Sequence, residues 1–372
     1  MRNRTMVDES LWAEIGDRVR ESRLAAGFSQ GELAQRVGLE RSKITKIEAG
    51  ARQISAVELT RLATELGMPL GHFLHARPKV ISQRTPLVDD TNSPTAQVSY
   101  RVEAVLAAWL RDVRDVLGFG SWKPPSLLRY PGSVETADDA RGVANWTRKQ
   151  LGLDRGPIET MMSVCEKAGQ LVLVVDVPGD GASLIEDDLA VAVVSSTRDP
   201  GRRRATAAHE LGHMVLGDEY SSDLGGGVAS ARRDREAVID AFAAELLLPV
   251  AAIRQSGPPT GDPRAYLIEL AARYRTSWTL AIRQAIVAGL IDPSDEVRWL
   301  SSSKPTHAEI RQAVEWTPPP DFDRVRVPPG YADAVLTAWT GNLITVARVI
   351  ELMHGQVTRD DLGVEDDSAD EP

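Results

Sequence analysis

Apolar residues recur at helical spacing along most of this chain, and two short β-branched runs interrupt them. Leu11, Ile15, Val19 and Leu24 predict a first helix. Ser29-Gln30-Gly31-Glu32 opens a second, with serine as N-cap and a glutamate three residues later in the pattern of a capping box. Gly38-Leu39-Glu40 turns the chain into a third helix over 41–50, with Ile44 and Ile47 facing inward. Ser55 opens a fourth through Leu59, Leu62, Ala63 and Leu66, which ends at Gly67, and 69–74 makes a short fifth. Val102, Val105, Leu106, Trp109, Leu110, Val113, Val116 and Leu117 mark an amphipathic helix within 98–117, and another is expected near 138–151. Residues 170–177 and 189–195 read as strands of a small sheet. The pattern predicts an α+β protein, mainly helical.

Turn-rich breaks divide the chain. Residues 78–97, with Pro78, Pro86 and Pro94 among aspartates and serines, read as a linker. Trp122-Lys123-Pro124-Pro125 and Pro318-Pro319-Pro320 mark two further breaks. Within 265–292, Tyr266 to Tyr274, a turn at Thr276-Ser277 and Leu280 to Ile291 look like a second helix-turn-helix, read as a packing unit. Residues 360–372 hold seven acids and no aromatic and are expected to be a disordered tail. The expected division is 1–78, a linker and amphipathic helix over 79–130, a sheet-bearing domain over 131–295, and a helical C-terminal region over 296–372.

Composition narrows the classes. The net charge of −10 argues against general nucleic-acid affinity. Residues 1–78 carry 12 Lys/Arg against 10 Asp/Glu, and Arg41, Lys43, Lys46 and Arg52 cluster at the third helix. No apolar run is long enough for a membrane span. Cys165 is the single cysteine, so no intramolecular disulfide forms, and its apolar setting suits a buried position better than a catalytic one. These features suit the cytoplasm.

The chemistry is carried by His209-Glu210-Leu211-Gly212-His213, an H-E-x-x-H pattern in a chain with six histidines. Histidines four apart on a helix lie about 6 Å apart along its axis and nearly on one face. One zinc ion (Zn2+) can take both imidazoles, and Glu210 is placed to deprotonate the metal-bound water. A catalytic zinc wants a third protein ligand, and the next histidine, His307, is remote. The best carboxylate is Glu236, on a helix marked by Val238, Ile239, Phe242, Leu246 and Leu247 and ended by Pro249. Asp240, one turn on, would hold the other ring nitrogen of a ligand histidine. Glu245 is a weaker alternative ligand. The alternative for Glu236 and Asp240 is a solvated face shared with Arg232, Arg233 and Arg235.

The block from about 138 to 249 resembles the ImmA/IrrE family of zinc-dependent peptidases. The resemblance rests on Gly156-Pro157-Ile158, on the stretch from Arg203 through His213, and on Glu236 through Leu246-Leu247-Leu248-Pro249. It implies zinc at His209, His213 and Glu236, with Glu210 as general base. Asp240 stands where the family usually has asparagine. In zincin-like peptidases an edge strand holds the substrate as an added strand, and 190–195 is the candidate for it. Gly217 to Arg233, with Gly225-Gly226-Gly227, would form a mobile loop over the site, where Tyr220 could hydrogen-bond the oxyanion.

The five N-terminal helices resemble the helix-turn-helix domain of the Cro/repressor (XRE) family. Its second motif helix would enter the major groove of a double-stranded DNA operator, with Arg41, Ser42, Lys43, Thr45 and Lys46 exposed to it. Gln30 resembles the family's phosphate-contacting position. The basic patch is modest, so a homodimer is expected for binding.

Together the resemblances imply a cytoplasmic zinc endopeptidase with a DNA-binding module, cleaving a repressor-like protein to control transcription or a stress or mobile-element response. The alternative is a DNA-binding regulator whose peptidase-like domain senses a metal or ligand without proteolysis.

Overall fold

Five helices open the fold: α1 (Arg2–Ala25), α2 (Gln30–Val37), α3 (Arg41–Glu48), α4 (Ala56–Leu66) and α5 (Leu70–Leu74). The computed structural model describes residues 2–75, 82–83, 94–217, 228–255, 262–315 and 319–363. Ser29 and Ser55 each form a full capping box, and Gly38 and Gly67 end α2 and α4 in the left-handed conformation. Ile15, Val19, Leu33, Ile44, Leu62 and Phe73 lie in the core of this module.

The next helix, α6 (Pro94–Gly118), belongs to two cores. Near its start, the Tyr100 hydroxyl meets His72 Nε2 at 2.8 Å and Ser22 Oγ at 3.2 Å, and Ala104 joins the N-terminal core. Further along, Leu106, Trp109, Val113 and Val116 cover one face of the sheet, and Trp109 Nε1 donates to the Leu171 carbonyl at 2.9 Å.

The sheet has four strands: β1 (Ser82–Gln83), β2 (Gln170–Val175), β3 (Gly181–Glu186) and β4 (Leu189–Ser195), in the order β1-β3-β4-β2. β2 and β4 run parallel, and the other two pairings are antiparallel. Alternate residues divide between its faces. Leu171, Leu173, Val191 and Val193 meet α6 together with α16 (Pro329–Thr340) and α17 (Val346–Leu352). Val172, Val174, Ala192 and Val194 meet the opposite layer of α7 (Ala137–Gln150), α8 (Met161–Lys167), α9 (Pro200–Leu216) and α10 (Val228–Leu247). Burial on both faces is why these strands read as unbroken apolar runs.

A last cluster joins α11 (Val250–Gln255), α12 (Pro263–Arg273), α13 (Trp278–Val287), α14 (Glu296–Ser301) and α15 (His307–Val314) around Leu267, Ile268, Trp278 and Ile282. The helix-turn-helix-like segment is thus α12 and α13. Mainly helical with one small sheet, the protein is of the expected α+β class.

Three expectations change. Residues 190–195 are not an edge strand: β4 lies between β3 and β2. The stretch read as linker contributes β1 to the sheet, and Pro94 already begins α6. β3 went unread because Gly181, Ala182 and Ser183 give it little β propensity. Of the loop expected over 217–233, residues 228–233 belong instead to α10, and 218–227 with Tyr220 lie outside the described residues. Of the acidic tail, Asp360–Leu362 forms a single 3-10 turn and 364–372 lie outside the described residues.

One buried ion pair ties distant parts of the chain together. Arg204 is fully buried on α9 and meets Asp321 Oδ2 at 2.6 Å, while its Nη2 donates to the Ile158 carbonyl at 2.8 Å. Asp321 also accepts from the Met161 backbone N–H at 2.9 Å, and Arg203 Nε donates to the Asp321 carbonyl at 3.1 Å. Burial pushes the Arg204 guanidinium down to about 10, against the pull of Asp321. Removing one member leaves a buried charge alone, so Asp321→Ala should cost about 3–5 kcal/mol in chemical denaturation. A loss under about 1 kcal/mol would mean that the pair is not needed to seat α9.

Candidate metal centre

The H-E-x-x-H residues lie on α9, which begins with Pro200 and ends at Gly217 in the left-handed conformation. Its last four turns are buried, because α9 lies between the sheet and α10. Gly212 sets the approach of α10. A Cβ there would stand 2.9 Å from Phe242 Cδ1 and 3.0 Å from Ile239 Cγ2, inside van der Waals contact. With no side chain in the way, α10 lies close enough to bring Glu236 and Asp240 to the histidines.

The polar geometry follows. His209 Nδ1 lies 2.9 Å from Asp240 Oδ1. A carboxylate accepts, so the ring proton belongs on Nδ1 and the lone pair on Nε2. His209 Nε2 lies 3.1 Å from His213 Nε2 and 3.2 Å from Glu236 Oε2. One ligand atom from each of His209, His213 and Glu236 falls within 4.8 Å of the others, so the three could hold a metal ion. His209 and His213 are buried, Glu236 is partly exposed and Asp240 is half exposed.

Glu210 is fully buried, and its two oxygens differ. Ser183 on β3 donates its hydroxyl to Oε2 at 2.7 Å. Oε1 has no hydrogen-bond partner among the described residues. Gln170, at the start of β2, donates from Nε2 to the Glu210 carbonyl at 2.9 Å. Sequence reading missed Ser183 and Gln170, since neither stands in a motif and both reach Glu210 only through the sheet.

Glu245, the alternative ligand, is engaged elsewhere. It accepts from Asn145 Nδ2 at 2.9 Å, from the Val250 N–H at 3.1 Å and from Gln284 Nε2 at 3.2 Å. It ties α7, α11 and α13 to α10. Cys165 is buried beneath α9, 4.0 Å from the Ala207 carbonyl, and burial pushes its thiol far above the usual range.

In the N-terminal module, Arg41, Ser42, Thr45 and Lys46 are exposed on α3 and Lys43 is half-buried. Gln30 faces α3: its Oε1 accepts from Thr45 Oγ1 at 3.1 Å and its Nε2 donates to Glu48 Oε2 at 2.9 Å. Glu48 is also held by Arg23, at 2.6 Å from Nε and 3.0 Å from Nη2. This bidentate pair, also missed from sequence, fixes α3 against α1.

Fold and geometry together define a helix-turn-helix module joined to a sheet-bearing domain with a His–His–Glu cluster. Residues 14–74 match the helix-turn-helix domain family, and residues 174–283 match the IrrE N-terminal-like domain family. The chain thus joins a segment similar to helix-turn-helix domains to one similar to IrrE N-terminal-like domains. Over 61 residues it is 39% identical to a protein of Rhodospirillum rubrum described as an uncharacterized transcriptional regulator in the ATPase CF(0) region. That alignment covers 16% of this chain and 56% of the relative, so this chain spans about half of that protein's length. Among the described residues no helix is long and apolar enough to cross a membrane.

Gly212→Ala should force α9 and α10 apart. It is expected to cost about 1–3 kcal/mol and to weaken metal binding at His209, His213 and Glu236. Chemical denaturation and a competitive metal titration measure the two effects, and unchanged values in both would remove Gly212 as the determinant of the approach.

Proposed function

We propose that this chain is a zinc-dependent endopeptidase of the cytoplasm, addressed to operator DNA by its N-terminal module, which cleaves a repressor-like regulatory protein. The observation that carries this reading is the convergence of His209, His213 and Glu236 beside a buried glutamate with one oxygen held and the other unpartnered. The donor set, two imidazoles and a carboxylate, is one that catalytic zinc uses. Tetrahedral zinc with bonds of about 2.0–2.1 Å sets its ligand atoms about 3.3 Å apart. The His209–His213 and His209–Glu236 separations of 3.1 and 3.2 Å lie near that value, and all three ligand atoms fall within 4.8 Å of one another.

When bound, zinc supplies Lewis acidity toward the scissile carbonyl and lowers the pKa of water. The remaining steps belong to the chain. Asp240 keeps the His209 proton on Nδ1 and so orients Nε2 as a ligand. Ser183 fixes Glu210 through Oε2 and leaves Oε1 to accept the proton of the attacking water. Glu210 then passes that proton to the leaving amine. Burial keeps the base in a setting of low polarity, where its charge acts more strongly.

The module on DNA would set the protease beside a bound repressor. Arg41, Ser42, Lys43, Thr45 and Lys46 would face the major groove, with Gln30 at the backbone, and a homodimer would double the modest basic surface. The second reading is a regulator that senses a metal or ligand without proteolysis. It is favoured by the burial of His209, Glu210 and His213, each exposed by 2% or less.

Glu210→Gln should retain zinc at one ion per chain and lose about 10²-fold or more in cleavage. New protein N-termini found in cells with the wild type and missing with the variant would identify the substrate. Cleavage at the wild-type rate would end the role of Glu210, and no new termini with either chain would favour the sensing regulator. Lys43→Glu with Lys46→Glu should weaken operator binding at least about tenfold in gel shift at fixed salt. Unchanged affinity would make the module a protein-docking unit.

A further inference from the structure

A cavity of about 1010 Å³ lies between α9 and α10 on one side and α12, α13 and α15 on the other. Its volume is at the upper end of the ~300–1,000 Å³ usual for small-molecule sites. His209, His213 and Glu236 do not line it, but Asp240, which meets His209 Nδ1 at 2.9 Å, does. Much of the wall is apolar. Ala205, Ala241 and Ala244 stand on one side, and Ala271, Ala272 and Trp278 on the other. Methyl groups in place of longer side chains leave the two helix pairs this room.

Six arginines and lysines line the cavity, and five have a carboxylate. Arg141 pairs with Asp138, Arg202 with Asp180, Arg204 with Asp321, Arg283 with Glu296 and Lys304 with Asp199. The cavity's own acids are thus engaged, Asp240 by His209. Arg275, in the turn between α12 and α13, pairs with no carboxylate among the described residues. Its Nη1 and Nη2 reach only the Pro319 and Ile158 carbonyls, at 3.4 and 3.3 Å, beyond the usual ~2.7–3.2 Å. The Ile158 carbonyl already accepts from Arg204 Nη2 at 2.8 Å, so two guanidiniums crowd one acceptor. Three donors at this end of the cavity meet no acceptor among the described residues: Arg275 Nε, Thr276 Oγ1 and Nε of the fully buried Arg204. Withdrawing a charge and its donors from water without partners is costly.

We propose that this cavity binds a small organic acid, with its carboxylate held by Arg275, Thr276 and Arg204 and its apolar body along the alanine walls. One unmatched guanidinium calls for one negative charge, and a carboxylate supplies it with two oxygens that suit the edge of a guanidinium. The long contacts of Arg275 leave its side chain loosely held and able to turn to such a ligand. The site needs neither proteolysis nor bound zinc, and it gives the regulator reading a class of ligand. Through Asp240 the ligand would lie beside a residue that orients a histidine of the metal centre.

The test is calorimetric titration of the full, zinc-loaded chain with octanoate and 2-naphthoate, each set against its neutral amide. At least one acid should bind about tenfold or more tighter than its amide, and which one does so tells an aliphatic body from a planar aromatic one. Arg275→Gln should abolish the preference for the acid and leave binding of the amide unchanged. Ala271→Leu, which fills the cavity, should weaken acid and amide alike by about tenfold, with circular dichroism confirming the fold of both variants. Where Arg275→Gln does not fold, Ala271→Leu decides alone, and unchanged affinity in it overturns the proposal. Equal binding of acid and amide, or no binding of any probe at about 1 mM, does the same. So does an acid preference that survives Arg275→Gln, which is what a probe bound to the metal would show. Binding of the acid by a chain that cleaves nothing keeps the site and counts against the peptidase. Cleavage of a protein by a chain that binds no acid keeps the peptidase and removes the site.

Discussion

The contact between α9 and α10 at Gly212 is the constraint on which the rest of the centre depends. His209 and His213 are brought together by one helix, but Glu236 and Asp240 belong to another, and only a close crossing lets the four side chains meet. Phe242 and Ile239 fill the space where a side chain at 212 would stand. The same contact buries the histidines and so removes water that would compete for their nitrogens. The sheet on the other side of α9 completes the arrangement, with Ser183 and Gln170 gripping Glu210 through its side chain and its carbonyl.

Much of this was legible in the sequence, and the parts that were not share a physical reason. Helices with caps, such as those opened by Ser29 and Ser55, announce themselves through local hydrogen bonding. The H-E-x-x-H spacing and the acidic helix are also local patterns, and the structure brings His209, His213, Glu236 and Asp240 together. Contacts between elements leave no such trace. Ser183 lies in a strand too poor in β-branched residues to be read, and its role depends on pairing with β4 and β1. Glu48 is held by Arg23 and Gln30 from two other helices, a contact that no local pattern marks. Residues 190–195 were placed at an edge by order along the chain, whereas strand order is set by pairing. Arg203 and Arg204 stand in the stretch that carries the family resemblance, and nothing local marks where their side chains go. Both are buried and clasp carbonyls from distant segments.

The sheet gives the protein its unity. One face carries α9 and α10 and hence the centre, and the other carries α6, α16 and α17. Because α6 also closes the core of the N-terminal module through Tyr100 and Ala104, the two modules share a structural member. A helix packed into both cores ties the N-terminal module to the sheet behind Glu210.

The Arg204–Asp321 pair also orders events in time. Its two members are 117 residues apart in the chain. On a ribosome, α1 to α6 have emerged and can close their own core while Asp321 is still unmade. During that interval Arg204 lacks its counter-charge, and burying α9 is opposed by the cost of dehydrating a lone guanidinium. Synthesis thus completes the helix-turn-helix module well before the domain that holds the His–His–Glu cluster, and a chain that stalls before residue 321 carries the first without a settled version of the second.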